Sequence, residues 1–212
     1  MPKLIPAVDP DDIGVDSERM IAKALMRTLP DHCVVYHSYP WLRPDRNDRT
    51  GNVTLSEGEV DFLIIHPDFG LLVLEVKGGQ VWYDSGTREW KRRSGLEGEK
   101  VIKDPFEQAR RNTHFLVERI RESAYPAEQY LPYAYGYAAV FPHCVYSGPT
   151  PPGAEPVIVW DGRDLDALDK HVEKALRLGV GVKNPAPSTK GRCRRFSGPS
   201  LLPFVFLPHF FG

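Results

Sequence analysis

Two short apolar stretches dominate the hydrophobic pattern of this chain. From Val60 to Ile65, and again from Leu71 to Lys77, almost every position is apolar, as in strands covered on both faces. Between them lies His66-Pro67-Asp68-Phe69-Gly70, a run of turn formers, so the two strands read as a hairpin. Helical spacing appears over 17–29, where Glu18, Ile21, Leu25 and Thr28 share one stripe. It returns from Asp104, a good N-cap followed by Pro105 and Glu107, to about Ser123, with Phe106, Ala109, Thr113, Leu116, Val117 and Ile120 inward. Further strands are expected over 33–39, 80–83, 88–92, 133–141 and 157–160, and a third helix over 161–178. Residues 1–16 read as an irregular lead-in and 40–56 as a polar loop.

Three ionisable residues interrupt the central hairpin: Asp61, Glu75 and Lys77. An acid within an apolar strand is costly unless its charge is compensated. With 66–70 as the loop, Ile65 pairs with Leu71 and Asp61 falls opposite Glu75, while Lys77 shares the face of Glu75. Opposed like charges destabilise a hairpin by a few tenths to about 1 kcal/mol. A bound divalent cation reverses that sign, and oxygen donors suit Mg²⁺ or Mn²⁺. A register shifted by two residues would instead pair Asp61 with Lys77 as an ordinary ion pair, and both readings stand at this point. Glu59 points to the face of Asp61 and is a further ligand candidate, with surface solvation as its plainer role.

These residues resemble a known pattern. Asp61 followed by Glu75-Val76-Lys77 resembles the core motif of the PD-(D/E)XK nuclease superfamily. The wording GEVDFLII…LLVLEVKGG is similar to the nuclease-related domain within it, over about Ser17 to Arg121. The resemblance implies an α/β fold, a central mixed β-sheet flanked by α-helices around a restriction-endonuclease-like core. It implies metal-dependent hydrolysis of DNA phosphodiester bonds, in DNA processing or repair, with Mg²⁺ or Mn²⁺ held by Asp61, Glu75 and the Val76 carbonyl. Lys77 would orient or activate water. Glu18 matches a glutamate that faces the active site from the first helix; its plainer role is a first-turn acid favoured by the helix dipole. Gln108 matches the glutamine of an [N/D]-P-x-x-Q segment, here Asp104-Pro105-Phe106-Glu107-Gln108, and would otherwise be surface filler. Relatives of this kind are often fused to helicases, which makes a helicase or another DNA-processing protein an expected partner.

Composition adds limits. The chain has 212 residues and a net charge of -1, so any attraction to nucleic acid must be local. Two basic groups qualify: Arg88, Lys91, Arg92 and Arg93 among Trp82, Tyr83 and Trp90, and Arg110 with Arg111 beside Gln108. The first group equally fits an exposed strand kept soluble by its charges. Cys33, Cys144 and Cys193 form no CxxC pair and no zinc spacing, which points to a reducing compartment, the cytoplasm. No apolar run is long enough to span a bilayer. The expected organisation is a nuclease-like domain over 1–178 and a Pro-rich, basic, then apolar tail over 179–212. The competing expectation is a DNA-binding or partner-tethering module on the same fold without cleavage.

Overall fold

The computed structural model describes residues 1–46, 53–95, 98–125, 131 and 133–178. The predicted tail, 179–212, and positions 47–52 of the expected polar loop lie outside the described residues. The elements are β1 (Lys3–Ile5), α1 (Asp16–Thr28), β2 (Val34–Arg46), β3 (Val53–His66), β4 (Gly70–Val76), β5 (Gln80–Asp84), β6 (Glu89–Arg93), β7 (Glu99–Ile102), α2 (Pro105–Ala124), β8 (Tyr135–Phe141), β9 (Val159–Asp161) and α3 (Leu168–Leu178). Six strands form a mixed sheet in the order β1-β2-β3-β4-β8-β9, and β5-β6-β7 form a second, three-stranded sheet. This is the α/β architecture the sequence leads one to expect.

The register of the central hairpin follows from its turn. Ile65 pairs with Leu71, and the antiparallel ladder runs outward to Phe62 and Leu74. On its other edge β4 pairs in parallel with β8, so Glu75 lies beside Ala139 and Val76 beside Val140. Being central, β4 is buried along its whole length, which is why its sequence is a continuous apolar run rather than an alternation. Phe62, Leu63, Ile64, Leu72 and Leu74 are completely buried. Each such side chain contributes about 1.5–3 kcal/mol relative to exposure.

Helices cover both faces. α3 lies against one, where His171 packs on Trp160, and α1 packs beside α3. α2 covers the other face, its Arg110 and Glu107 close enough to Tyr137 of β8 to affect its ionisation. Asp104 caps α2 as its sequence suggests, its Oδ1 accepting the N–H groups of Phe106 and Glu107.

Four expectations are corrected. The described residues within 40–56 are strand rather than loop: β2 continues to Arg46 and β3 begins at Val53, paired from Pro40–Glu59 out to Arg46–Val53. The alternation Val53-Thr54-Leu55-Ser56 carries that strand pattern. The lead-in is partly ordered, because β1 adds to the sheet edge parallel to β2. β7 is a strand the sequence did not suggest; it pairs Arg93 with Glu99 and Arg92 with Lys100. The third helix starts at Leu168 rather than at Asp161. There Asp161 accepts the Arg163 N–H while its own N–H donates to Asp164, which folds 161–164 into a turn.

Candidate active site

The sheet is interrupted at one point. Both ladders of β3 omit Asp61: towards β2 the pairs pass from His37–Phe62 to Tyr39–Val60, and towards β4 they end at Phe62–Leu74. Opposite the gap, Ser38 takes a positive φ of 51°, a conformation uncommon for residues with a side chain. Freed from the ladder, Asp61 accepts the Val76 N–H at Oδ2, 2.7 Å away. The carboxylate is thereby tied to the end of β4, next to Glu75.

Glu75 is 1% exposed. Lys77 Nζ donates to its Oε1 at 2.5 Å. Gln108, from the first turn of α2, comes close enough to favour the ionised form of Glu75. Glu75 Oε2 is buried and has no well-formed hydrogen bond. Glu18 reaches the group from α1, close enough for its charge to act on both Asp61 and Glu75. The structure thus brings Asp61, Glu75, Lys77, Glu18 and Gln108 together. The alternative register, with Asp61 paired to Lys77, is not the one present, since Lys77 bonds to Glu75.

The electrostatics follow from crowding acids in a dry place. Burial, and next the charge of Glu75, push Asp61 up to about 7. Burial also raises Glu75, against the opposing pull of Lys77. One ammonium, that of Lys77, stands among the three carboxylates of Asp61, Glu75 and Glu18.

Two histidines to which the sequence assigned no site role complete the setting. His37 Nε2 lies 2.8 Å from Glu18 Oε2 and fixes that side chain. Its signal was available, a polar residue within the apolar run VVYHSY. His143 Nδ1 accepts the Gly79 N–H, and its Nε2 lies 2.9 Å from Asp16. This draws the chain just after Lys77 onto the first turn of α1. The approach is close: a Cβ on Gly78 would stand 2.9 Å from Ser17 Oγ.

The expected nucleic-acid contacts divide. Lys91 is engaged by Asp84 at 2.8 Å and by Glu99 at 3.4 Å. Arg93 faces Glu99 and lies over the Trp82 ring. Trp90 is not a stacking platform, because it is buried among Phe106, Phe141 and Tyr146. Arg88 is exposed at the β5–β6 turn, and Arg92 is half-buried in the strand. Arg110 pairs with Glu107, and both line a shallow surface depression with Arg111, His114 and Phe115. Glu59 is exposed, and its carbonyl accepts from the Asn112 side chain.

A family model of the nuclease-related domain matches residues 13–144. The chain belongs to the nuclease-related domain family. The match begins before Glu18 and runs beyond β8, so it takes in every element of the site just described. No curated protein and no solved structure matches the chain. Among the described residues, no helix of this nuclease-related domain is long and apolar enough to cross a membrane.

Proposed function

We propose that the protein is a metal-dependent nuclease that hydrolyses DNA phosphodiester bonds at the Asp61–Glu75–Lys77 site, in DNA processing or repair within the cytoplasm. The observation that carries this reading is the convergence of a buried carboxylate, Glu75, and a half-buried one, Asp61, on one site, with Glu75 Oε2 lacking a well-formed hydrogen bond. A binding surface has no need of that arrangement, and a dication relieves it.

The donors fit Mg²⁺ or Mn²⁺. Asp61 and Glu75 offer hard carboxylate oxygens, and the carbonyl of Val76, the residue after Glu75, offers another. Such an ion, when held there, polarises a phosphoryl oxygen and makes bound water more acidic. The chain's own groups do the rest. Lys77 places a positive charge beside Glu75, where it orients the attacking water and offsets charge that develops on the phosphate. Gln108 directs its amide to the same carboxylate and positions water or a phosphate oxygen. Glu18, held by His37, sets the far wall of the site. Arg110 and Arg111 on α2, with Arg88 and Arg92 on the second sheet, would grip the backbone without reading its sequence.

Cleavage of plasmid and single-stranded DNA with Mg²⁺ or Mn²⁺ tests the reading. Lys77→Ala is expected to abolish cutting while the fold, followed by circular dichroism, persists. Equal cutting by both proteins would assign the activity to another site. Metal binding without cutting by either would favour a DNA-binding or tethering module on the same fold.

A further inference from the structure

A second group of potential ligands sits at the opposite end of β3. His32, Cys33 and His66 bring one ligand atom each to within 4.8 Å of one another. Topology explains the meeting. Val34 pairs with Ile65, so the next positions outward, Cys33 and His66, face each other where α1 turns into β2 and β3 turns into β4. Cys33 is 1% exposed and His66 5% exposed, whereas the His32 side chain is 53% exposed and forms the outer wall. No local spacing could have announced this group, because His66 is remote in sequence from the His32-Cys33 pair.

We propose that His32, Cys33 and His66 form a site for a borderline-soft divalent transition metal of the zinc type, which staples the α1–β2 turn to the β3–β4 turn. Sulfur and imidazole nitrogen are the donors zinc prefers, and Mg²⁺ and Mn²⁺ do not choose them. This site is therefore chemically separate from the oxygen site at Asp61 and Glu75. The two lie about 17 Å apart along β3, at about 3.4 Å per residue. Ligands on a tetrahedral zinc stand about 3.4–3.8 Å apart, so loading requires a contraction of about 1 Å, which the exposed His32 can supply.

The surroundings suit such an ion. Asp68 Oδ2 lies 3.6 Å from His32 Nε2, as carboxylates stand behind metal-bound histidines. The His32 and His66 rings meet edge to face at 5.2 Å, and Phe69 packs on His66 from the other side at 4.3 Å. His66 Nδ1 now accepts the Asp68 N–H at 3.2 Å. Metal at Nδ1 displaces that N–H, and metal at Nε2 moves the ring proton to Nδ1. In either case the Asp68 amide loses its bond, so loaded and metal-free forms differ at the 66–70 turn.

The test is a cobalt titration of the chelator-stripped full chain. Co²⁺ at a thiolate site gives a near-ultraviolet sulfur-to-metal band, which oxygen donors at Asp61 and Glu75 cannot produce. The band is expected in the wild type, absent in Cys33→Ser, and abolished by stoichiometric zinc. His32→Ala changes an exposed side chain and should fold normally, with cobalt affinity lower by on the order of 100-fold. Zinc should raise the melting temperature of the wild type and leave that of Cys33→Ser unchanged. Absence of the band in folded wild type, or its survival in folded Cys33→Ser, overturns the proposal; survival would move the thiolate to Cys144 or Cys193. If Cys33→Ser does not fold, His32→Ala decides alone, and unchanged cobalt affinity there also overturns it.

Discussion

Asp61 carries the clearest pH signature in the molecule. Its ordinary carboxyl value is near 3.8, and burial with Glu75 at hand pushes it to about 7. The folded form therefore holds a proton that the unfolded chain releases between about pH 4 and about 7. Stability is greatest below the lower value and falls as pH rises through the upper one, by at most about 1.4 kcal/mol per pH unit for this one proton. Glu75 shifts in the same direction and adds to the slope. Urea denaturation without divalent metal should accordingly give a less stable protein at pH 8 than at pH 5. Asp61→Asn keeps an oxygen to accept the Val76 N–H and removes the repulsion. It should stabilise the metal-free protein at pH 8 by about 1–3 kcal/mol while eliminating cleavage. Added Mg²⁺ or Mn²⁺ should raise the melting temperature of the wild type at pH 8 and have little effect on that variant.

At the level of elements, the site depends on where β4 ends and how α2 begins. Gly79 has a positive φ of 84°, and a Cβ there would stand 2.6 Å from the Arg93 carbonyl oxygen. Gly79→Ala should cost about 1–3 kcal/mol in chemical denaturation. It should also lower cleavage by displacing Lys77, two residues earlier. Asp104→Ala removes two N-cap bonds and should cost about 1 kcal/mol, with a partial loss of activity through Gln108. These elements were legible because local chemistry specified them. The Pro-Asp-Gly turn at 66–70 fixes the register that opposes Asp61 and Glu75, and Asp104-Pro105 marks the start of α2. Other elements were illegible because a distant partner decides them. Pro40, Pro44 and the arginines made 40–56 look like a loop, yet each of its two arms is the partner that makes the other a strand. β7 has two charged residues in a short span and is a strand only against β6. The His32-Cys33-His66 group has no sequence motif, since the sheet register brings Cys33 and His66 together, and His37 stands out in its strand but meets Glu18 only through the packing of α1.

Across the whole molecule, charge is close to balanced, and the basic residues are not equivalent. On the proposed function, Arg110→Ala with Arg111→Ala should weaken DNA binding and reduce the slope of log affinity against log salt by about two for a duplex. Lys91→Ala should leave that slope nearly unchanged, because Lys91 is held by Asp84 and Glu99. Its loss should appear in stability instead. Fluorescence anisotropy over a salt series distinguishes these outcomes.

The position of β4 also sets an order of events in time. On one edge it meets β3 through a three-residue turn, Pro67 to Phe69, a contact the chain forms quickly. On the other it meets β8, where Leu71 pairs with Tyr135, far along the chain. The hairpin that carries both acids is thus expected to form early, with Asp61 and Glu75 still in water, and β8 to close over it late. The desolvation of the acid pair then falls on the native side of the folding barrier. In stopped-flow measurements, raising the pH from 5 to 8 should accelerate unfolding by on the order of 100-fold and leave the refolding rate nearly unchanged. Equal effects on both rates would place β8 in the folding nucleus. The charge cluster proposed for catalysis would then also govern how long each molecule stays folded.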